Sequence, residues 1–252
     1  MGKRALSSVF VVVALAAACG KSGPAHVGPN GEVARIDFED PAQRMLFDNP
    51  ARTEEAGFSF GEWLVEGGVL KQKRGASDNL ANHLRYRGDA FGSPDGQAPS
   101  RYGVALDIAA YQETESRQVH GSPTGILGFM PYYKDPTHYV ILVAARQSIE
   151  VWNVAGLRAA GEAWPQEARL HYEFLPYEIK VGDTVHWQAE VDTGAKTIRV
   201  WFGDDEAPRA TVTVPEMDDA PHYVALAANG NFVAFDNLAL FFLEKRKGPL
   251  GL

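Results

Sequence analysis

The residues in this chain whose types and spacing could do chemistry are aromatic ones set among polar neighbours. Trp152 shares a strand face with Glu150 and Val154, against Ile149 and Val151. Trp201 shares one with Arg199, opposite Ile198, Val200 and Phe202. An indole turned outward could stack on the C–H face of a sugar ring, whereas one covered by a loop is only packing. Tyr132, Tyr133 and His138 flank the turn Lys134-Asp135-Pro136-Thr137 and could add hydrogen bonds, or serve as local packing. Trp164 lies in an irregular stretch from Leu157 to Tyr177 that also holds His171, Tyr172, Phe174 and Tyr177, and long aromatic loops are where such domains place function. Other chemistries lack their residues. The seven histidines are scattered and there is no cysteine pair, which argues against a catalytic zinc. Gly57-Phe58-Ser59-Phe60-Gly61 spells a nucleophile elbow, but a hairpin follows it where that motif needs a helix.

The elements that must position these residues are strands. Gly128 to Tyr133, Tyr139 to Ala145 and Ile149 to Val154 are apolar runs separated by turns, and form the meander at the centre of the chain. Val33 to Phe38 precedes it, as does a hairpin from Gly61 to Gln72 folded at Gly67-Gly68, and Arg101 to Ala109 returns to strand. Gly75 to Ser100 reads as a long polar loop. After the meander, Val185 to Asp192 alternates, with Trp187 on the core face and His186, Gln188 and Glu190 on the other. Ile198 to Phe202, Arg209 to Val214, His222 to Ala228 and Phe232 to Phe242 complete about a dozen strands. No segment has a helical period, so the class is all-β, and that many antiparallel strands close as a sandwich or barrel.

The chain of 252 residues, 45% hydrophobic, suffices for one such core. Its 32 acidic and 24 basic residues give a net charge of −8, which argues against nucleic acid as a partner. The short basic runs Lys71 to Arg74 and Lys245 to Lys247 carry no interleaved aromatics. At the N-terminus, Lys3 and Arg4 precede an apolar run from Val9 to Ala18, the length of a secretory signal and short for a membrane span. Its end, Leu15-Ala16-Ala17-Ala18-Cys19, resembles the bacterial lipoprotein signal, in which cleavage before the cysteine is followed by its acylation. The usual leucine three places before the cysteine is Ala16 here, so ordinary signal-peptidase cleavage stays open. Cys19 is the only cysteine, which favours lipidation and removes disulfides from the fold. The expected layout is a signal peptide at 1–18, a lipidated cysteine and Gly/Pro-rich tether at 19–32, one domain at 33–243 and a tail at 244–252. Such a chain would be membrane-anchored through its N-terminal lipid, facing the periplasm or cell surface.

Gly61-Glu-Trp63-Leu-Val65-Glu-Gly-Gly68-Val-Leu70, Asp135-Pro136-Thr137-His138-Tyr139, Trp187 to Phe202 and Ala234-Phe235-Asp236-Asn237-Leu238 together resemble the concanavalin A-like lectin and glucanase superfamily. These laminin-G-like jelly rolls include the keto-disaccharide hydrolase-like domains. The resemblance covers about Val33 to Leu243 and implies an antiparallel β-sandwich of the concanavalin A-like jelly-roll type, with a glycan or polysaccharide as partner. It also implies a structural Ca²⁺ where first and last strands meet, with Asp37 or Glu39 facing Asp236; the alternative is that Asp236 only caps a bulge. Retaining glucanases of the superfamily carry a strand with three alternating carboxylates. Glu216-Met217-Asp218 and Glu113-Thr114-Glu115 lack the third, so that chemistry is not expected. The expectation is an envelope lipoprotein with a non-catalytic sandwich binding carbohydrate or a surface polymer. Its rivals are a carbohydrate hydrolase or lyase of the keto-disaccharide type, and a structural or adhesive domain with a protein partner.

Overall fold

A computed structural model of the chain describes residues 32–48, 62–73, 81–113, 124–156, 165–229 and 232–243. Its strands in chain order are β1 (Glu32–Ile36), β2 (Phe47–Asp48), β3 (Trp63–Val65), β4 (Leu70–Gln72), β5 (Ala81–Tyr86), β6 (Arg101–Gln112), β7 (Leu127–Asp135), β8 (His138–Ala145), β9 (Ser148–Ala155), β10 (Arg169–Phe174), β11 (Thr184–Asp192), β12 (Thr197–Phe202), β13 (Ala210–Thr213), β14 (Tyr223–Asn229) and β15 (Phe232–Phe242). They form two antiparallel sheets. One has eight strands, ordered β13-β12-β11-β6-β15-β4-β3, with β1 also on β15; the other has seven, ordered β10-β9-β8-β7-β14-β5-β2.

The alternation read from the sequence is what packs these sheets together. Trp187 of β11 is fully buried between them, its indole N–H donating to the Leu127 carbonyl at 3.3 Å and its ring edge-on to Phe202 at 4.7 Å. Phe129, Leu142, Val151 and Leu226 meet it from the seven-stranded sheet, and Leu106, Ile108, Phe235 and Leu240 from the eight-stranded one. Tyr102 crosses the interior to donate to the Pro131 carbonyl at 2.5 Å.

Two irregularities matter for function. The register of β7 against β8 slips between Phe129 and Tyr132, so Tyr132 turns into the core while Tyr133 turns outward. In β15 the register against β6 slips after Asp236, where Asn237 adopts φ 51°. That is also where the other edge of β15 changes partner, from β4 at Phe235 to β1 at Leu238.

Two strands lie inside segments that read as irregular. β5 falls within 75–100 and β10 within 157–177. In β5 the inward residues are Leu84 and Tyr86, but His83 and Arg85 between them hide the alternation. In β10 the alternating aromatics Tyr172 and Phe174 face solvent, the reverse of an ordinary strand pattern. The meander, the Gly67-Gly68 hairpin, β6 and β11 to β15 stand where the sequence puts them.

Candidate functional site on the outer face of the seven-stranded sheet

Strand register builds this face in rows. Tyr172, Glu150, Val143, Gly128, Ala227 and His83 lie side by side across β10, β9, β8, β7, β14 and β5. The neighbouring row carries Arg169, Trp152 and Ile141 at one end, and Ala225, Arg85 and Asp48 at the other. The floor is made of small residues. At Gly128 a Cβ would lie 2.4 Å from the Leu142 carbonyl oxygen, so only glycine fits there.

The β9–β10 side of the face is an organised polar and aromatic cluster. Glu150, 5% exposed, accepts from the Trp152 indole at 2.8 Å and the Ser148 hydroxyl at 3.1 Å. Arg169 lies 3.9 Å from Glu150, with its guanidinium 5.5 Å from the Trp152 ring centroid and 4.8 Å from that of Tyr172. Trp152 is therefore not an open platform: it is 4% exposed. The exposed rings are its neighbours along β10, Tyr172 at 49% and Phe174 at 61%, followed in the crossover to β11 by Tyr177 at 53%. The sequence reading names all three within 157–177 as aromatics of a functional loop, but takes only Trp164 from that stretch as a ligand residue. Recognising Leu170 to Phe174 as an edge strand would have placed both rings on one side.

The other end of the face is closed. His83 is fully buried, edge-on to Tyr133 at 5.6 Å and to Tyr139 at 4.9 Å, and burial pulls its pKa down to about 3, so it is neutral. Tyr133 is wholly buried, its hydroxyl has no hydrogen-bond partner among the described residues, and burial pushes its pKa up. Arg85 donates to both carboxylate oxygens of Asp48, at 2.9 and 2.6 Å, and lies 4.5 Å from the centroid of Tyr223.

The remaining sequence candidates do not join this cluster. Trp201 and Arg199 lie on the outer face of the opposite sheet, so Trp152 and Trp201 cannot serve one platform. Trp201 is 6% exposed, with the Arg199 guanidinium 5.9 Å from its ring and Arg199 paired to the buried Glu190. Tyr132 packs in the core, its hydroxyl 3.3 Å from Asp218, because of the slip in β7. His138 is exposed at the β7–β8 turn, bonded to Asp135 at 3.1 Å. Trp164 lies outside the described residues, as do Cys19 and Ser59.

Asp37, Glu39 and Asp236 do gather near one another at the β1–β15 junction. Burial raises the pKa of the Asp236 carboxyl, and the negative charges of Asp107, Asp37 and Glu39 add to that. Glu39 fills the space beside Gly68, whose Cβ would lie 2.9 Å from its Oε1. Oxygen donors of calcium-binding type are thus present, although among the described residues no three such side chains converge as a metal shell. Burial would also raise Asp107, but hydrogen bonds from His186 at 2.7 Å and Asn237 at 2.8 Å hold it below the usual range.

With the geometry in place, the architecture can be compared with solved structures. The Ca²⁺/Man3GlcNAc-bound exoplasmic/lumenal domain of VIP36 superposes with a TM-score of 0.51 at 11% identity, over 87% of this chain and 92% of that one. An endo-1,3-β-glucanase from Streptomyces sioyaensis superposes at 0.55 and 15%, over 89% and 100%. The fold is a concanavalin A-like jelly roll. No family model matches the sequence, and no curated protein does. At such identities the likeness establishes the jelly roll alone, and function rests on the site.

Proposed function

We propose that this jelly roll binds a glycan or another surface polymer along the β9–β10 edge of its seven-stranded sheet without cleaving it, as the exported part of an envelope lipoprotein anchored through Cys19. The observation that carries the reading is the pair Tyr172 and Phe174. They are two exposed rings on one side of an edge strand, beside buried Glu150 and Trp152 and the half-buried Arg169. Large exposed aromatics on a monomer surface usually mark a contact site, and flat rings suit the C–H faces of sugars. Trp152 contributes by holding Glu150 and Arg169 in place, since its indole N–H is spent on Glu150. Two jelly-roll neighbours, one bound to Man3GlcNAc and one named a 1,3-β-glucanase, support a carbohydrate partner.

Binding without cleavage is favoured by the placement of carboxylates on this face. Glu150 on β9 and Asp48 on β2 are five strands apart, about 24 Å at about 4.8 Å per strand. Glycosidase pairs stand about 5–9.5 Å apart. Both carboxylates are also committed, Glu150 to Trp152 and Asp48 to Arg85.

A structural Ca²⁺ would be held by Glu39 and Asp236 and would neutralise the carboxylates that raise Asp236. The VIP36 neighbour is itself a Ca²⁺-bound form. The test is retention of the detergent-solubilised full chain on immobilised polysaccharides, with calcium and with EDTA, followed by analysis of the polymer for released sugar. Retention with the polymer intact supports the reading. Release of sugar, or no retention on any polysaccharide, overturns it.

A further inference from the structure

On the far side of Tyr177 the crossover from β10 to β11 lies against the first residues of β11 and the end of β12, around a pocket of about 380 Å³. Its floor is apolar and belongs to the core: Ile179, Val185 and Phe202 are all buried. One wall is the half-exposed ring of Tyr177, and the rim carries Asp183 and His186. The pocket is a half-open depression on this core floor.

The rim is fixed in place. His186 shares a 2.7 Å hydrogen bond through Nδ1 with Asp107, which in turn accepts from Asn237 at 2.8 Å, and Asn237 is the φ 51° residue of the β15 bulge. With the carboxylate on Nδ1, the second ring nitrogen is the one left for a ligand hydroxyl. Asp183 accepts the Lys180 backbone N–H at 2.8 Å on one oxygen, which orients the carboxylate and leaves the other for a ligand. Among the described residues no lysine or arginine lines the pocket. Uronate, sulfate and phosphate would meet the Asp183 carboxylate with no lysine or arginine to balance it, in a chain of net charge −8. The volume lies at the small end of the about 300–1,000 Å³ usual for small-molecule sites. An apolar floor, one free aromatic face and a few converging acceptors and donors suit a compact, uncharged, polyhydroxylated ring.

Tyr177 also follows Phe174 by three residues, within about 10 Å of extended chain. The exposed rings Tyr172 and Phe174 are therefore close in the chain to the Tyr177 wall of the pocket. Building on the glycan-binding reading above, we propose that this pocket takes the terminal neutral sugar ring of a polymer whose following residues lie along Phe174 and Tyr172. The protein then recognises chain ends.

Calorimetry on the full chain compares a linear β-1,3-gluco-hexasaccharide and a linear mannohexaose with a cyclic β-glucan, which has no ends, and with an alkylammonium ion as a charge-only probe. The expected result is that one linear oligosaccharide binds at least about tenfold more tightly than the cyclic glucan. Tyr177→Ala and Asp183→Asn should each abolish that preference at unchanged melting temperature, both residues being exposed. Equal binding of linear and cyclic glucans, weakened by Tyr172→Ala but not by Tyr177→Ala, overturns the pocket while leaving the polymer reading intact. Alkylammonium binding that matches the sugars also overturns it, by reducing the pocket to a carboxylate. Absence of binding to any sugar or polysaccharide removes both proposals together.

Discussion

Replacing Tyr172 and Phe174 together by alanine should cost affinity and almost no stability, and the size of the loss can be worked from their exposure. Fully burying an aromatic side chain removes about 150–250 Å² from water. At 49% and 61% exposure, each ring still offers solvent about half of that. A sugar lying flat covers one face, so about 50 Å² is withdrawn per ring, which at about 25 cal/mol per Å² is about 1.2 kcal/mol. For the pair this is about 2.5 kcal/mol, or about 60-fold in Kd. The free protein loses only the stacking of Arg169 on Tyr172 at 4.8 Å, about 0.5–1 kcal/mol at an exposed site. Calorimetry against a retained polysaccharide, with thermal unfolding alongside, measures both quantities. A Kd within about threefold of the parent would refute the assignment of this edge.

Further predictions concern the core and the titrating groups. Trp187→Ala empties the centre of the sandwich and should cost about 3–5 kcal/mol, lowering Tm by about 6–20 °C; a smaller drop would mean that the sheets collapse into the space. His83 is neutral and buried with a folded pKa of about 3, below its unfolded value of 6.5. Its contribution is full above pH 6.5 and fades as the pH falls towards about 3, because only the unfolded chain takes up the proton there. In His83→Phe, denaturant unfolding should therefore depend less on pH across that window, and an unchanged slope would contradict the burial. Asp236 shifts the other way. Its raised folded pKa gives stability present below the unfolded carboxylate value and lost as the pH rises through the folded one, so at neutral pH its charge is a penalty. Without calcium, Asp236→Asn should unfold at the same temperature or higher, while the parent alone gains Tm on adding calcium. A calcium-free Asp236→Asn that is less stable would count against the carboxylate repulsion.

The sequence made the sandwich legible wherever one face of a strand is apolar, as in β11, where Trp187, Ala189 and Val191 alternate with His186, Gln188 and Glu190. It failed where the faces carry other chemistry. β5 alternates Leu84 and Tyr86 with His83 and Arg85, and both sets are largely buried. β10 shows its aromatics to water. Parity correctly turned Trp201 and Trp152 away from the core, but exposure depends on neighbours across strands. Arg199 with Glu190 cover one indole and Arg169 lies over the other, contacts separated from the tryptophans only by strand register. One slipped residue in β7 decides that Tyr132 rather than Tyr133 enters the core, and nothing in Met130-Pro131 announces its position. The pocket beside Tyr177 was illegible because its liners come from a crossover and two strand ends.

The way β1 joins the eight-stranded sheet also sets how the domain responds to force. Tension delivered through the residues before Glu32 acts first on a strand whose only fully buried side chain is Ile36. Its register with β15, from Glu32 against Phe241 to Ile36 against Leu238, can open one pair at a time from the pulled end. Four residues released at about 3.3 Å each would pay out about 13 Å of slack before the load reaches Ile36 and the fully buried Phe38. The first strand would thus be the first element to yield to a pull from the N-terminal side. Behind it, the β10 edge belongs to the other sheet and shares no strand pairing with β1.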